Sequence, residues 1–257
     1  MGQTWRLIPL RVTSGTEQMA IDRFWLEQLS QDPNQPPILR FYTWQPAALS
    51  LGLHQSVAPP WADLIERYQL ELVRRPSGGR AVLHQGDLCY AIISPILFPE
   101  RSQNYAYLCQ FLLEGLNSLC TSLSQHSNLA PASFSFGSKG REYVQQPNCF
   151  ATATAADLVL NLPGKAPIKL VGSAQTYTRT ALLQHGSILI QPHPQLWQDF
   201  WGDSPLGLHH LFPQLSIAEL TEILIKYLCD AAVATWKITL MEQDLSPAES
   251  SLIGIET

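Results

Sequence analysis

The residues of this chain with the most chemistry available to them are one cysteine, one lysine, two histidines and a glycine-centred cluster of arginines. Cys149 follows Pro-Asn in "QQPNCFATATA", a loop-like segment with no apolar stripe to bury it. Lys169 sits in "KLVGSAQ", where Gly172 and Ser173 interrupt a strand-like run, as happens where a ligand meets a backbone. An ammonium near a thiol favours the thiolate, which is the nucleophilic form. Taken bare, a loop cysteine is more often inert. Upstream, "RRPSGGRAVLHQGD" brings Arg74, Arg75, Ser77, Gly78, Gly79, Arg80 and His84 between two apolar runs. The glycine pair permits backbone angles other residues avoid, and N–H groups freed in such a turn can hold a carboxyl, phosphate or carbonyl oxygen. Arginine forks suit phosphate. The stretch is neither a P-loop nor a GxGxxG fingerprint, and its plain alternative is a β-turn with solvated arginines. In "LLQHGSILI", His185 and Gly186 interrupt an apolar strand, where a histidine is more often a satisfied structural residue.

These residues need elements to hold them. "TWRLIPLRV" reads as a strand and "SGTEQMAIDRFWLEQLSQ" as a helix, with Ile21, Phe24, Trp25 and Leu29 on one face and Ser14 and Glu17 placed as a capping box. "ILRFYTW" and "ALSLGLH" read as a hairpin joined by "QPA", followed by the short helix "PPWADLIERY". The glycine turn falls between the strands "LELVRR" and "LCYAIIS". Residues 104–124 predict a helix with the stripe Leu108, Phe111, Leu112, Leu116, Leu119 and Leu123, and make Cys109 and Cys120 packing residues. "DLVLN", "IKLVGSAQTYTR" and "ALLQHGSILI" are strand-like, and 192–214 reads as irregular. Ser216 and Glu219 predict a second capping box, opening "IAELTEILIKYLCDAAVATW" ahead of the strand "KITL". The sum is α/β (α+β): a single mixed, largely antiparallel sheet domain packed by helices over residues 1–240, then a polar C-terminal tail over 241–257.

Composition narrows the function. A net charge of −5 with 14% charged residues argues against a nucleic-acid partner, which needs a basic field. No apolar run reaches the roughly 20 residues of a membrane span, and the start lacks a signal peptide's pattern. Five cysteines without CxxC spacing predict free thiols in a reducing cytoplasm and give no sign of a metal site.

In this order and spacing, "RRPSGGRAVLH", "KLVGSAQ" and "LLQHGSILI" resemble the lipoate-protein ligase and lipoyl/octanoyl transferase superfamily, and "QMAIDRFWLEQL" and "ILRFYTWQPAALSLGLHQ" fit its N-terminal portion. The resemblance covers about residues 5–200 and implies the class II synthetase-like fold of biotinyl and lipoyl transferases. "PNCF" ahead of the lysine motif looks like the LipM-type octanoyltransferases. It implies that Cys149 takes octanoyl from acyl carrier protein and passes it to a lipoyl-domain lysine, of glycine cleavage H protein or a dehydrogenase E2. In that scheme Lys169 lowers the pKa of Cys149 and stabilises the oxyanion, serving also as base to the incoming amine or not. Gly78, Gly79 and the following strand would wall the acyl tunnel. Arg74, Arg75 and Arg80 would meet the pantetheine phosphate or the carrier, and Ser77, His84, Gly172, Ser173, His185 and Gly186 would line or hold the pocket. No cofactor is implied; ATP enters only under the alternative of an ATP-dependent lipoate ligase. A relay amidotransferase between lipoyl domains is the other alternative. One departure stands out: where the transferases carry a Glu-Leu-Thr-Tyr-Ser-like run, this chain has "QGDLCYAI", with Asp87, Cys89 and Ala91. The change also places a second cysteine, Cys89, near the pocket, in a strand setting that suggests packing.

Overall fold

The computed structural model describes residues 2–124, 132–137, 150 and 157–255. Along the chain run β1 (Thr4–Thr13), α1 (Gly15–Gln31), β2 (Ile38–Trp44), β3 (Ala48–Leu51), α2 (Pro59–Arg67), β4 (Glu71–Arg74), β5 (Val82–His84), β6 (Asp87–Pro95) and α3 (Arg101–Ser124). Then follow β7 (Ser133–Phe136), β8 (Leu158–Asn161), β9 (Ile168–Tyr177), β10 (Ala181–Leu189), α4 (Pro194–Trp201), α5 (Ile217–Trp236), β11 (Thr239–Glu242) and α6 (Pro247–Ile253).

Eight strands form one sheet in the order β11-β1-β2-β6-β10-β9-β8-β7, and β4-β3-β5 form a smaller one. In the large sheet β1 runs parallel to β2 and β11, while the remaining neighbours are antiparallel. The mixed, largely antiparallel architecture is the expected one. Strand β6 shows why the sheet is covered on both sides. Successive side chains point to opposite faces, and both sets are apolar here. Leu88, Tyr90 and Ile92 join the core under α3 and α5. Cys89, Ala91 and Ile93 join the core under α1. Helix α3 supplies Leu108, Phe111, Leu112, Leu116 and Leu119 as fully buried residues, with Cys109 and Cys120 among them.

Two sequence readings are corrected, and one strand is added. The strands β2 and β3 are not a hairpin, because both edges of β2 are taken by β1 and β6 and β3 pairs instead with β4 and β5. Residues 192–214 hold α4, which begins with Pro194 and is capped by His193, and buries Leu196, Trp197 and Phe200; the Pro- and His-rich composition hid it. Strand β7 was not read at all. After residue 240 the described residues, to Ile255, hold the end of β11 and helix α6. Strand β11 extends to Glu242 beside β1, and Ile255 packs into the core under α1. The polar residues of this stretch are used locally, Ser246 and Glu249 forming a capping box for α6. At α1 the Ser14 side chain accepts from the Glu17 N–H, one half of the predicted capping box.

Arg6 holds the C-terminal segment. Its Nη1 and Nη2 donate to the two carboxylate oxygens of Glu249 at 2.8 and 2.9 Å, and its Nε donates to the Gln243 carbonyl. These bonds hold Glu249 down at about 2, below its ordinary 4.5. A folded-state value below the unfolded one gives stability that is present above the unfolded value and lost as pH falls through the folded one. The contribution therefore disappears between about pH 4.5 and pH 2. Glu249→Gln is expected to cost roughly 1–2 kcal/mol at neutral pH, because water screens this partly exposed pair, and almost nothing near pH 2. Urea unfolding at both pH values checks this.

Candidate active site

A cavity of about 370 Å³ is lined by α1, the small sheet, its glycine turn and strands β6, β9 and β10. That volume is in the range of small-molecule sites. Of the residues singled out in the sequence, Arg75, Gly78, Gly79 and His84 reach it from the first motif, Lys169, Gly172 and Ser173 from the second, and His185 and Gly186 from the third. Three distant motifs thus meet at one cavity.

Gly79 has φ +99°, a left-handed value that excludes a side chain at low cost. Gly186 is constrained differently. It faces Ser173 across the β9–β10 ladder, and a Cβ there would lie 2.6 Å from the Gly172 carbonyl oxygen and from the Tyr90 ring. The small residues at 172, 173 and 186 let the strands approach closely beside the cavity.

Arg74, Ser77 and Arg80 are not among the lining residues. Arg74 Nη1 donates to the carbonyls of Gly52, Leu53 and Gln55, which fixes the loop after β3. Arg75 lines the cavity but also spends its guanidinium on backbone, donating to the carbonyls of Ser50, Gly78 and Arg80. Arg74 thus braces the loop after β3, and Arg75 clamps the glycine turn while still lining the cavity. Strands in a turn-rich stretch leave carbonyls without ladder partners, and arginine has the five donors to satisfy them.

Lys169, on β9, is buried against Asp157: Nζ lies 2.8 Å from Oδ1, and the side chains are 3% and 5% exposed. Both groups line the cavity. The Phe150 ring centroid is 5.5 Å from Nζ. Cys149 itself lies outside the described residues. Asp157 escaped the sequence reading because a single aspartate heading "DLVLN" looks like a solvated strand terminus; the only signal was its position ahead of a fully apolar run.

Each histidine bridges a carboxylate and a serine. His185 Nδ1 is 2.9 Å from Asp22 Oδ2 and its Nε2 is 2.6 Å from Ser77 Oγ. Asp22 also receives Arg40 Nη1 at 2.6 Å, with both side chains wholly buried. Arg40 also donates to Gln18 Oε1 and lies 4.3 Å from the Tyr42 ring. His84 Nδ1 is 2.7 Å from Asp87 Oδ2, and its Nε2 is 2.8 Å from Ser50 Oγ. Trp44 stacks on the His84 ring at 4.0 Å. Burial pushes His84 below the ordinary histidine value, and the neighbouring Asp87 only partly offsets this. The ring is therefore neutral near pH 7. An ionised Asp87 can only accept, so it fixes the proton on Nδ1 and leaves Nε2 to accept from Ser50.

Asp87 Oδ2 also accepts from Ser187 and from the Cys89 thiol. Cys89 lines the cavity and is buried in the sheet. Burial, reinforced by Asp87, pushes its thiol well above the ordinary range, so it is held protonated. His84, Asp87 and Cys89 are, among the described residues, a group whose donor atoms lie within 4.8 Å of one another. Hydrogen bonds within the group already use those atoms. Burial pushes the thiols of Cys109, Cys120 and Cys229 up to about 12.

This arrangement joins a glycine-turn cavity to a buried lysine–carboxylate pair. The chain matches the lipoyl protein ligase A/B catalytic domain over residues 14–204 and belongs to that family. The octanoyltransferase LipM of Exiguobacterium sp. is 36% identical over 193 residues, covering 73% of this chain and 66% of that protein; the chain thus spans slightly less than two thirds of that relative's length. Among solved structures, lipoate-protein ligase A bound with ATP superposes with TM-score 0.71 at 17% identity, over 98% of this chain and 93% of the other. A bi-partite lipoate protein ligase from Thermoplasma acidophilum, studied with its E2 lipoyl domain, gives TM-score 0.70 at 18% identity over 99% and 91%. At such identities the structures establish the shared class II synthetase-like fold. Among the described residues no helix is long and apolar enough to cross a membrane.

Proposed function

We propose that this protein is an octanoyltransferase of lipoate biosynthesis that moves octanoyl from acyl carrier protein to the lysine of a lipoyl domain through a thioester on Cys149. The observation that carries the reading is the buried Lys169–Asp157 pair on the cavity wall, with the ring of Phe150, the residue after Cys149, 5.5 Å from the ammonium. Similarity to octanoyltransferases supports transfer of an octanoyl group, and the solved relative with its E2 lipoyl domain supports the acceptor class.

The reaction starts from an activated acyl group and needs no nucleotide. Cys149 attacks the thioester carbonyl, the bond to the carrier's phosphopantetheine sulfur breaks, and the released thiol takes a proton. The neutral amine of the acceptor lysine attacks the acyl-enzyme, forms an amide and returns the thiol. A cation fixed beside both tetrahedral states lowers the cost of their developing charge. Val82, Tyr42 and Met19 give the cavity apolar wall for an acyl chain.

Intact mass after incubation with octanoyl-carrier protein tests the reading. Wild type is expected to gain one octanoyl unit and Cys149→Ala none. Equal gain by both would overturn the nucleophile. Acceptor modification from octanoate and ATP, without carrier-bound acyl, would instead establish the ligase alternative.

A further inference from the structure

The cavity contains a second nucleophile–base arrangement that transfer through Cys149 does not use. Ser50 on β3 and His84 on β5 are two strands of the small sheet, and both line the cavity. We propose that Ser50, His84 and Asp87 form a serine-hydrolase centre in this cavity, which cleaves activated fatty-acyl esters and thioesters. The choice of a fatty-acyl substrate rests on the acyl-pocket reading above; the serine chemistry rests on geometry alone.

Hydrogen-bond reach between nucleophile and base, with the base oriented by a third group, is the signature of an activated hydroxyl. Here the two contacts are 2.8 Å (Ser50 Oγ to His84 Nε2) and 2.7 Å (His84 Nδ1 to Asp87 Oδ2). Stacking of Trp44 fixes the imidazole plane, and Ser187 donates to Asp87 at 2.6 Å, steadying the carboxylate. Arg75 Nη1, which donates to the Ser50 carbonyl, also lies 3.3 Å from Ser50 Oγ and sets a cation beside the nucleophile, favouring its alkoxide character. The other Asp–His–Ser chain makes an internal contrast. Ser77 does not line the cavity, and Asp22 is committed to the buried Arg40. Of the two chains, only the Ser50 chain presents its hydroxyl to the cavity.

In the first half-reaction the Ser50 proton passes to His84 Nε2 as Oγ bonds to the acyl carbon. The bond from that carbon to the leaving sulfur or oxygen breaks, and His84 returns the proton to the leaving atom. Water then gives a proton to the same nitrogen and attacks the ester carbon. The acid departs and Ser50 regains its proton.

The test combines a fluorophosphonate serine probe on the unaltered chain with hydrolysis of 4-nitrophenyl octanoate. Peptide mapping is expected to find the probe on Ser50. Ser50→Ala is expected to slow nitrophenol release by about 100-fold or more, the lower end of what a positioned base contributes, and Asp87→Asn is expected to slow it also. A probe found elsewhere, or hydrolysis unchanged in Ser50→Ala, overturns the proposal. Mapping needs no variant, so it decides the matter even where a substitution prevents folding. Octanoyl transfer is followed on the same wild-type sample. An unlabelled Ser50 in a protein that acylates Cys149 sinks this inference alone, whereas a labelled Ser50 without a Cys149 adduct sinks the transferase reading alone.

Discussion

Lys169→Met is expected to slow octanoyl transfer by about 10²- to 10³-fold, the loss typical when one charge-stabilising donor is removed from an acyl-transfer site. The same substitution leaves Asp157, 5% exposed, without its 2.8 Å cation. A buried charge stripped of its partner destabilises a fold by about 3–5 kcal/mol, so a lower rate alone would not separate chemistry from unfolding. The double variant Lys169→Met with Asp157→Leu does separate them. Removing both members of a buried pair is commonly neutral or better for stability. The double variant is therefore expected to recover the denaturation midpoint and not the rate. Recovery of both would make Lys169 a structural residue and nothing more. Single-turnover acylation of Cys149 by octanoyl-carrier protein is the rate to measure.

Asp22→Ala carries an expected cost to stability of the same size. Asp22 meets Arg40 at 2.6 Å and His185 at 2.9 Å, and neither Asp22 nor Arg40 has any exposed side-chain surface. The substitution strands a guanidinium in the core, at about 3–5 kcal/mol, out of a total of about 5–15 kcal/mol for a typical fold. It also releases His185, whose Nε2 contacts Ser77 in the turn that carries Gly78 and Gly79. Urea unfolding is expected to show a midpoint shift of that size. A loss under about 1 kcal/mol would mean that Gln18, which also accepts from Arg40, suffices to hold it.

Most of the fold could be read from residue order because its elements announce themselves locally. The leucine stripe of α3 and the serine-glutamate cap of α5 depend on neighbours three or four positions away, and both stand as read. Pairing across long separations left no such mark. Strand β3 lies one short turn after β2, yet joins a different sheet. The site divides in the same way. Glycines and histidines set in strand-like runs were visible as interruptions, and they do line the cavity. Asp157, Asp22 and Ser50 interrupted nothing. Asp22 sits on a helix whose neighbours Ile21 and Trp25 are apolar, so its own burial reads only once Arg40 and His185 are brought opposite. The arginines carry a role their charge did not announce: Arg74 and Arg75 satisfy carbonyls of the chain's own loops.

The pairing of β1 with β11 sets a timetable on the ribosome. Thr4 lies beside Thr239, and at about 5–20 residues per second the later strand is synthesised roughly ten to fifty seconds after the earlier. Throughout that delay one rim of the nascent sheet offers bare N–H and carbonyl groups to any other extended chain, the hazard common to uncovered strands. A chaperone that shields extended segments would have its greatest effect on yield in this interval.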